Sequence, residues 1–185
     1  MDNIILDTKT FQNAVDEISE KIFNDAQNVS DLAIVGIQNK GVFLAKRILF
    51  VISKLADIDW SKIPFGTLDI TLHRDDLDNF DSGMPVIKDT IIPFDMNHKN
   101  IVLIDDVLYT GRTVRAALDL LMDFGRPKSI QLAVLIDRGF RELPIEAKYI
   151  GVKYKSKEFI KVDCKETDGI DKVTVYSCSS KILTL

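Results

Sequence analysis

The chain has 185 residues, 46% of them apolar and 28% charged, which suits one well-packed domain spanning residues 1–185. Its formal net charge of -4 excludes a surface dominated by non-specific nucleic-acid affinity but leaves room for a local basic patch. No apolar run approaches the roughly 20 residues that span a bilayer, so no membrane partner is expected.

The amino terminus, Met1-Asp2-Asn3-Ile4, lacks the basic start of a signal peptide, and a cytoplasmic location follows as the expectation. From Thr10 onward Phe11, Ala14, Val15, Ile18, Ile22 and Phe23 recur at helical spacing. This predicts an amphipathic helix capped by Thr8 or Thr10, with Phe11, Ile18 and Ile22 in the core. Its outer face is acidic. Residues 1–30 hold Asp2, Asp7, Asp16, Glu17, Glu20 and Asp25 against Lys9 and Lys21, a local net of -4, so the rest of the chain nets zero.

Leu32 to Ile37 predicts a strand, Gly36-Ile-Gln-Asn-Lys-Gly41 a loop, and Val42 to Leu55 a helix. Trp60, between Asp59 and Ser61, is expected to pack. Phe65 to Leu72 alternates apolar and polar residues as a half-exposed strand does. Gly83, Pro85 and Pro93 punctuate the polar stretch 73–100, which is too long for an ordinary connection, and such loops are usually functional. Ile101 to Ile104 reads as a buried parallel strand, followed by a helix over 114–124 that stops at Gly125 and Pro127 and a strand from Ser129 to Ile136. Alternating strands and helices imply an α/β fold, a mainly parallel sheet with right-handed crossovers. His73 and His98 match no metal spacing, and Cys164 and Cys178 indicate neither a disulfide framework nor a zinc site, so no metal held by protein ligands alone is expected.

The chemistry concentrates after Ile104. Asp105 and Asp106 fall at the carboxyl end of a strand, where open α/β sheets bind ligands, and carboxylates there can grip vicinal hydroxyls. Thr110-Gly-Arg-Thr113 then lets backbone N–H groups converge on an anion at a helix start, with two threonine hydroxyls as further donors. Hydroxyl grip and phosphate cradle together suit a phosphorylated sugar.

The run Ile101-Val-Leu-Ile-Asp-Asp-Val-Leu-Tyr-Thr-Gly-Arg-Thr113 resembles the phosphoribosyl-pyrophosphate motif of the type I phosphoribosyltransferases. Gly66 to Leu77, Gly125 to Gly139 and Arg141-Glu-Leu-Pro-Ile145 narrow the resemblance, across residues 34–151, to the pyrimidine operon attenuators. Members of that family act as uracil phosphoribosyltransferases and regulate pyrimidine genes by binding messenger RNA. The resemblance implies a central, mainly parallel sheet flanked by helices, with a flexible catalytic loop and a small hood. It implies phosphoribosyl pyrophosphate and uracil as substrates, Mg²⁺ bound mainly through the substrate, and a homodimer or higher homo-oligomer.

Carried over residue by residue, Asp105 and Asp106 meet the ribose hydroxyls. Leu108, Tyr109, Thr110, Gly111, Arg112 and Thr113 cradle the 5′-phosphate. Gly36, Asn39, Lys40 and Gly41 form the pyrophosphate loop, where Asn39-Lys40 replaces the family's Thr-Arg and gives up a planar, bidentate guanidinium. Arg74 is the candidate lid arginine, Arg138 lies near the base, and backbone around Ile160 builds the uracil hood. Val152-Lys-Tyr-Lys-Ser156 departs from the family's Lys-Asn-Ile-Pro-Thr beside that hood. RNA binding in the family depends on basic residues of the amino-terminal helix and of the surface near Asp137-Arg-Gly139. Here the helix is acidic, Phe140 replaces the usual histidine, Glu146 stands where arginine is frequent, and only Arg141 remains, so messenger RNA binding is expected to be weakened or lost. The same pocket on a non-catalytic sensor of phosphoribosyl pyrophosphate or a nucleotide is the remaining alternative.

Overall fold

The computed structural model describes residues 2–26, 28–71 and 89–176. Five strands, β2 (Leu32–Ile37), β3 (Phe65–Leu68), β4 (Asn100–Leu108), β5 (Ser129–Asp137) and β6 (Tyr149–Lys153), form a wholly parallel sheet in the order β3-β2-β4-β5-β6. Three more, β1 (Asp2–Leu6), β7 (Phe159–Asp163) and β8 (Lys172–Tyr176), form a small antiparallel sheet in the order β1-β8-β7. The helices are α1 (Thr8–Asp25), α2 (Lys40–Leu55), α3 (Arg112–Met122) and the single turn α4 (Lys165–Asp168).

The central strands carry continuous apolar runs, Leu32 to Ile37, Ile101 to Ile104 and Leu132 to Ile136, because both of their faces are covered. On β4, Val102 and Ile104 face the core shared with α1 and α2, whereas Ile101 and Leu103 face the core shared with α3. Phe11, Ile18 and Ile22 of α1 enter the first core as expected, and so do Leu6, Ile160, Val162, Val173 and Val175 of the small sheet. That sheet is therefore fused to the main body by apolar contact.

Several local expectations are corrected. Helix α1 is capped by Asp7, whose carboxylate accepts from the Thr10 N–H at 2.8 Å while the Thr10 hydroxyl accepts from the Asp7 N–H at 3.0 Å. A carboxylate reaching the third helical residue satisfies an end that Thr8 cannot reach. Helix α3 starts at Arg112, two residues before the expected 114, because Gly111 takes a left-handed φ of 94° and turns the chain at once. Strand β3 stops at Leu68, and its neck is closed by the Asp69 N–H donating to the Thr90 hydroxyl at 3.0 Å and by paired hydrogen bonds between Thr67 and Ile91. Trp60, expected to pack, is 58% exposed on a single 3-10 turn.

Candidate active site

The site is built where β2 and β4 end side by side, Gly36 pairing in register with Ile104. Each strand turns straight into a helix, β2 into α2 through Gln38 and Asn39, and β4 into α3 through Tyr109 to Gly111. Two helix amino termini, with no acidic residue in either first turn, thus open onto one edge of the sheet. Such termini present N–H groups and a partial positive charge, the requirements for binding two anionic groups of one ligand.

Glycine makes the two turns fit together. A Cβ on Gly41 would lie 2.5 Å from the Ile104 carbonyl oxygen and 3.2 Å from the Asp105 Cα, so the α2 start rests directly on the β4 backbone. The Gln38–Asn39 peptide is cis, and Asn39 is exposed at the N-cap of α2.

Asp105 and Asp106 remain within the β4 ladder, Asp105 buried and Asp106 half-buried. The Asp105 carboxylate accepts from the Asp106 N–H at 2.9 Å, and the Asp106 carboxylate from the Val107 N–H at 3.0 Å. Removal from water pushes the Asp106 carboxyl above its ordinary pKa, and this outweighs the opposing hydrogen bonds from Asp105 and Val107 and the nearby Lys40 charge.

On the far side of the turn, Arg112 donates to Glu142 at 2.7 Å, and the N–H groups of Glu142 and Leu143 donate to the Thr110 carbonyl. Arg141 organises this loop. Its guanidinium donates to the Tyr109, Gly139 and Ile145 carbonyls at 2.9, 3.1 and 2.9 Å and to the Asp137 carboxylate at 2.6 Å. The sequence resemblance places Arg141 on an RNA-facing surface; in the structure it holds the turn after β4 to the end of β5. The usable signal was its position four residues after Asp137 with glycine between.

Arg138 is buried, and its guanidinium lies 3.9 Å from the Tyr109 ring centroid. It donates to the Ser156 carbonyl at 3.3 Å and to the Glu158 carbonyl, joining the turn after β4 to the segment that leads into β7. Ile160 lies two residues beyond Glu158 on β7, its side chain in the core and its backbone paired in register with Val175. Lys40 is drawn aside: its amine donates to the Thr167 hydroxyl at 2.6 Å and to the Asp168 carboxylate of α4. Arg74 lies outside the described residues. The structure thus brings Gly36, Asn39, Lys40, Gly41, Asp105, Asp106, Leu108, Tyr109, Thr110, Gly111, Arg112, Thr113 and Arg138 to one end of the sheet.

Two anion-binding turns flanking an acidic pair is the arrangement of a phosphoribosyl donor site, and residues 2–167 match the family model described as phosphoribosyl transferase domain. The chain belongs to that family. It is 74% identical over 174 residues to the bifunctional protein PyrR of Endomicrobium trichonymphae, covering 94% of this chain and 98% of that protein. The PyrR proteins of Deinococcus deserti and Bacillus cereus are 47% and 46% identical, each over more than nine-tenths of both chains. Among solved structures, a hypoxanthine-guanine phosphoribosyltransferase from Bacillus anthracis superposes with a TM-score of 0.72 at 17% identity, over 94% of this chain and 98% of that one. A hypoxanthine phosphoribosyltransferase from Staphylococcus aureus gives 0.67 at 23% over 92% and 90%. At such identities these two carry the fold and not the choice of base. Within its family, the chain is a type I phosphoribosyltransferase that groups with the PyrR proteins. Among the described residues, no helix is long and apolar enough to cross a membrane.

Proposed function

We propose that this enzyme transfers the phosphoribosyl group of phosphoribosyl pyrophosphate to uracil, giving UMP and pyrophosphate. The observation that carries the reading is the pair of helix starts, at Lys40 and Arg112, on either side of Asp105 and Asp106. The donor bears a phosphate at one end, a diphosphate at the other and vicinal hydroxyls between. The α3 turn takes the 5′-phosphate, the α2 turn takes the diphosphate, and the carboxylates take the hydroxyls.

The bond from the anomeric carbon to the diphosphate oxygen breaks as the bond to the uracil nitrogen forms, the proton on that nitrogen passes to the departing pyrophosphate or to water, and no protein nucleophile intervenes. The protein aligns the two substrates and stabilises the charge that develops on the leaving group. A Mg²⁺ ion held mainly by diphosphate and ribose oxygens, beside the hard carboxylate oxygens of Asp105 and Asp106, would neutralise charge on the leaving group. Arg138 and Tyr109 form a wall toward the base, and Arg74 serves, by family resemblance, as the arginine that covers the diphosphate. A groove of about 310 Å³ lined by Lys46, Leu49, Phe50, Trp60 and Phe65, with Phe50 56% and Trp60 58% exposed, supports assembly into a dimer or larger oligomer.

The test supplies phosphoribosyl pyrophosphate, Mg²⁺ and each nucleobase in turn, with UMP from uracil as the expected product. Preference for a purine would defeat the uracil assignment, and tight donor binding without turnover would establish the sensor alternative.

A second reading concerns RNA. Phe140, exposed with its backbone at a φ of 55°, has Lys155 and Lys157 over its ring at 5.4 and 5.3 Å, a surface on which a base can stack between cations. Against it stand the acidic outer face of α1, with Glu17 and Glu20 exposed, and the commitment of Arg141 to the phosphate turn. Binding to pyrimidine-gene leader RNA is accordingly expected to be weak and to fall steeply with salt. Nanomolar, sequence-specific binding at physiological salt would overturn this charge argument.

A further inference from the structure

Two ionic contacts of different character join α2 to the α4 turn. Arg47 makes a bidentate pair with Glu166, at 2.9 and 2.6 Å, and reaches Asp171 at 2.7 Å, its side chain only 17% exposed and that of Asp171 9%. The second contact is at the very start of α2, where the Lys40 amine meets Asp168 and Thr167. The side chains of Lys40 and Asp168 are 21% and 26% exposed, so water reaches this contact, whereas the Arg47–Asp171 contact is largely buried.

Three features make the Lys40 contact releasable. The Asp168 carboxylate also accepts from the Cys164 N–H at 2.8 Å and the Thr167 hydroxyl at 2.7 Å, so it stays satisfied if the amine leaves. Arg47 holds the turn in place independently. Lys40 is a flexible point charge that exchanges partners without the geometric demands of a guanidinium. The amine also sits where its charge is felt on both sides, drawing down the carboxyl pKa of Asp168 and opposing the rise at Asp106.

We propose that Asp168 is a positioning residue that holds Lys40 in the donor-free enzyme as an internal stand-in for the diphosphate, and yields it when the donor or pyrophosphate binds. This rests on the assignment of Gly36 to Gly41 as the pyrophosphate loop. The chain's own carboxylate thereby competes with the leaving group, which lowers affinity for pyrophosphate and favours its release. It also ties occupancy of the donor site to the α4 turn and, through β7 and β8 on either side of it, to the small sheet.

The experiment measures binding of Mg²⁺-pyrophosphate by calorimetry to the full chain and to its Asp168→Asn, Lys40→Met and doubly substituted variants. Asparagine keeps an oxygen for Cys164 and Thr167 but gives up the charge. Asp168→Asn is expected to bind pyrophosphate about three- to fivefold more tightly, with the gain absent in the Lys40→Met background and Asp168→Glu restoring wild-type affinity. Unchanged or weaker binding in folded Asp168→Asn, or tightening that persists without Lys40, overturns the proposal. If Asp168→Asn does not accumulate as folded protein, Thr167→Val decides, since losing the neutral partner of the same amine should tighten binding in the same direction, and weakening overturns it. Wild-type protein that binds neither pyrophosphate nor phosphoribosyl pyrophosphate would overturn the pyrophosphate-loop assignment itself and the proposal with it.

Discussion

Gly41→Ala is expected to lower turnover by about 100-fold or more and to destabilise the fold by about 1–3 kcal/mol. The added methyl would sit 2.5 Å from the Ile104 carbonyl oxygen, 3.3 Å from its carbon and 3.2 Å from the Asp105 Cα. All three are backbone atoms of a central strand paired on both sides, so none can rotate away as a side-chain tip would. Relief must come from displacing the α2 start, which moves the Asn39-Lys40-Gly41 turn away from the acidic pair. A donor gripped at the ribose by one element and at the diphosphate by the other then meets a site whose halves no longer match. The measurements are steady-state kinetics and thermal unfolding, with Asn13→Ala, exposed on α1, as the neutral comparison. Full turnover with wild-type KM in Gly41→Ala would show that the close approach has no part in aligning the donor.

Nothing in the identity of Gly41 announces that contact. A glycine after an apolar strand is equally a turn residue, and only the register of β2 against β4 reveals what it touches. What was legible follows the burial rules of a parallel sheet. Ile101 to Ile104 and Leu32 to Ile37 are continuous apolar runs because both faces are covered, and their strand assignment needed no partner information. The carboxyl half of β4 was not legible. Asp105 to Leu108 stays in the ladder because β5 pairs with it as far as Leu108 and Asp137, a long-range fact that overrides the low strand preference of aspartate.

The small sheet was hidden for a related reason. Strand β1 is five residues long, and its partner β8 lies at the other end of the chain, Asp2 pairing with Tyr176. Local pattern cannot encode such a pairing. The acidic pair and the Thr-Gly-Arg-Thr turn were readable because their chemistry is local, whereas the roles of Arg141 and Asp168 depend on groups that only folding brings near.

The acidic pair yields the other large effect, and here function and stability should part. Asp105→Asn is expected to reduce turnover by about 100-fold or more while the domain stays folded, since the amide still offers an oxygen to the Asp106 N–H but no longer a charge to the ribose hydroxyls. Asp106→Asn should also lose donor affinity, yet raise the melting temperature by about 2–4 °C at pH values above the folded midpoint of Asp106. The folded-state pKa of Asp106 is raised, chiefly by burial, so the native state holds more protons than the unfolded chain between the unfolded and folded midpoints. Stability contributed by this group is therefore present at low pH and lost as pH rises through the folded pKa; above that midpoint the charged carboxylate is a cost that asparagine removes. The melting-temperature advantage of Asp106→Asn should accordingly shrink as pH is lowered through that midpoint, and melts across the acid range in donor-free buffer will show whether it does. A variant less stable than wild type throughout the range, or an advantage that acid leaves untouched, would mean that burial does not penalise the charged form of Asp106.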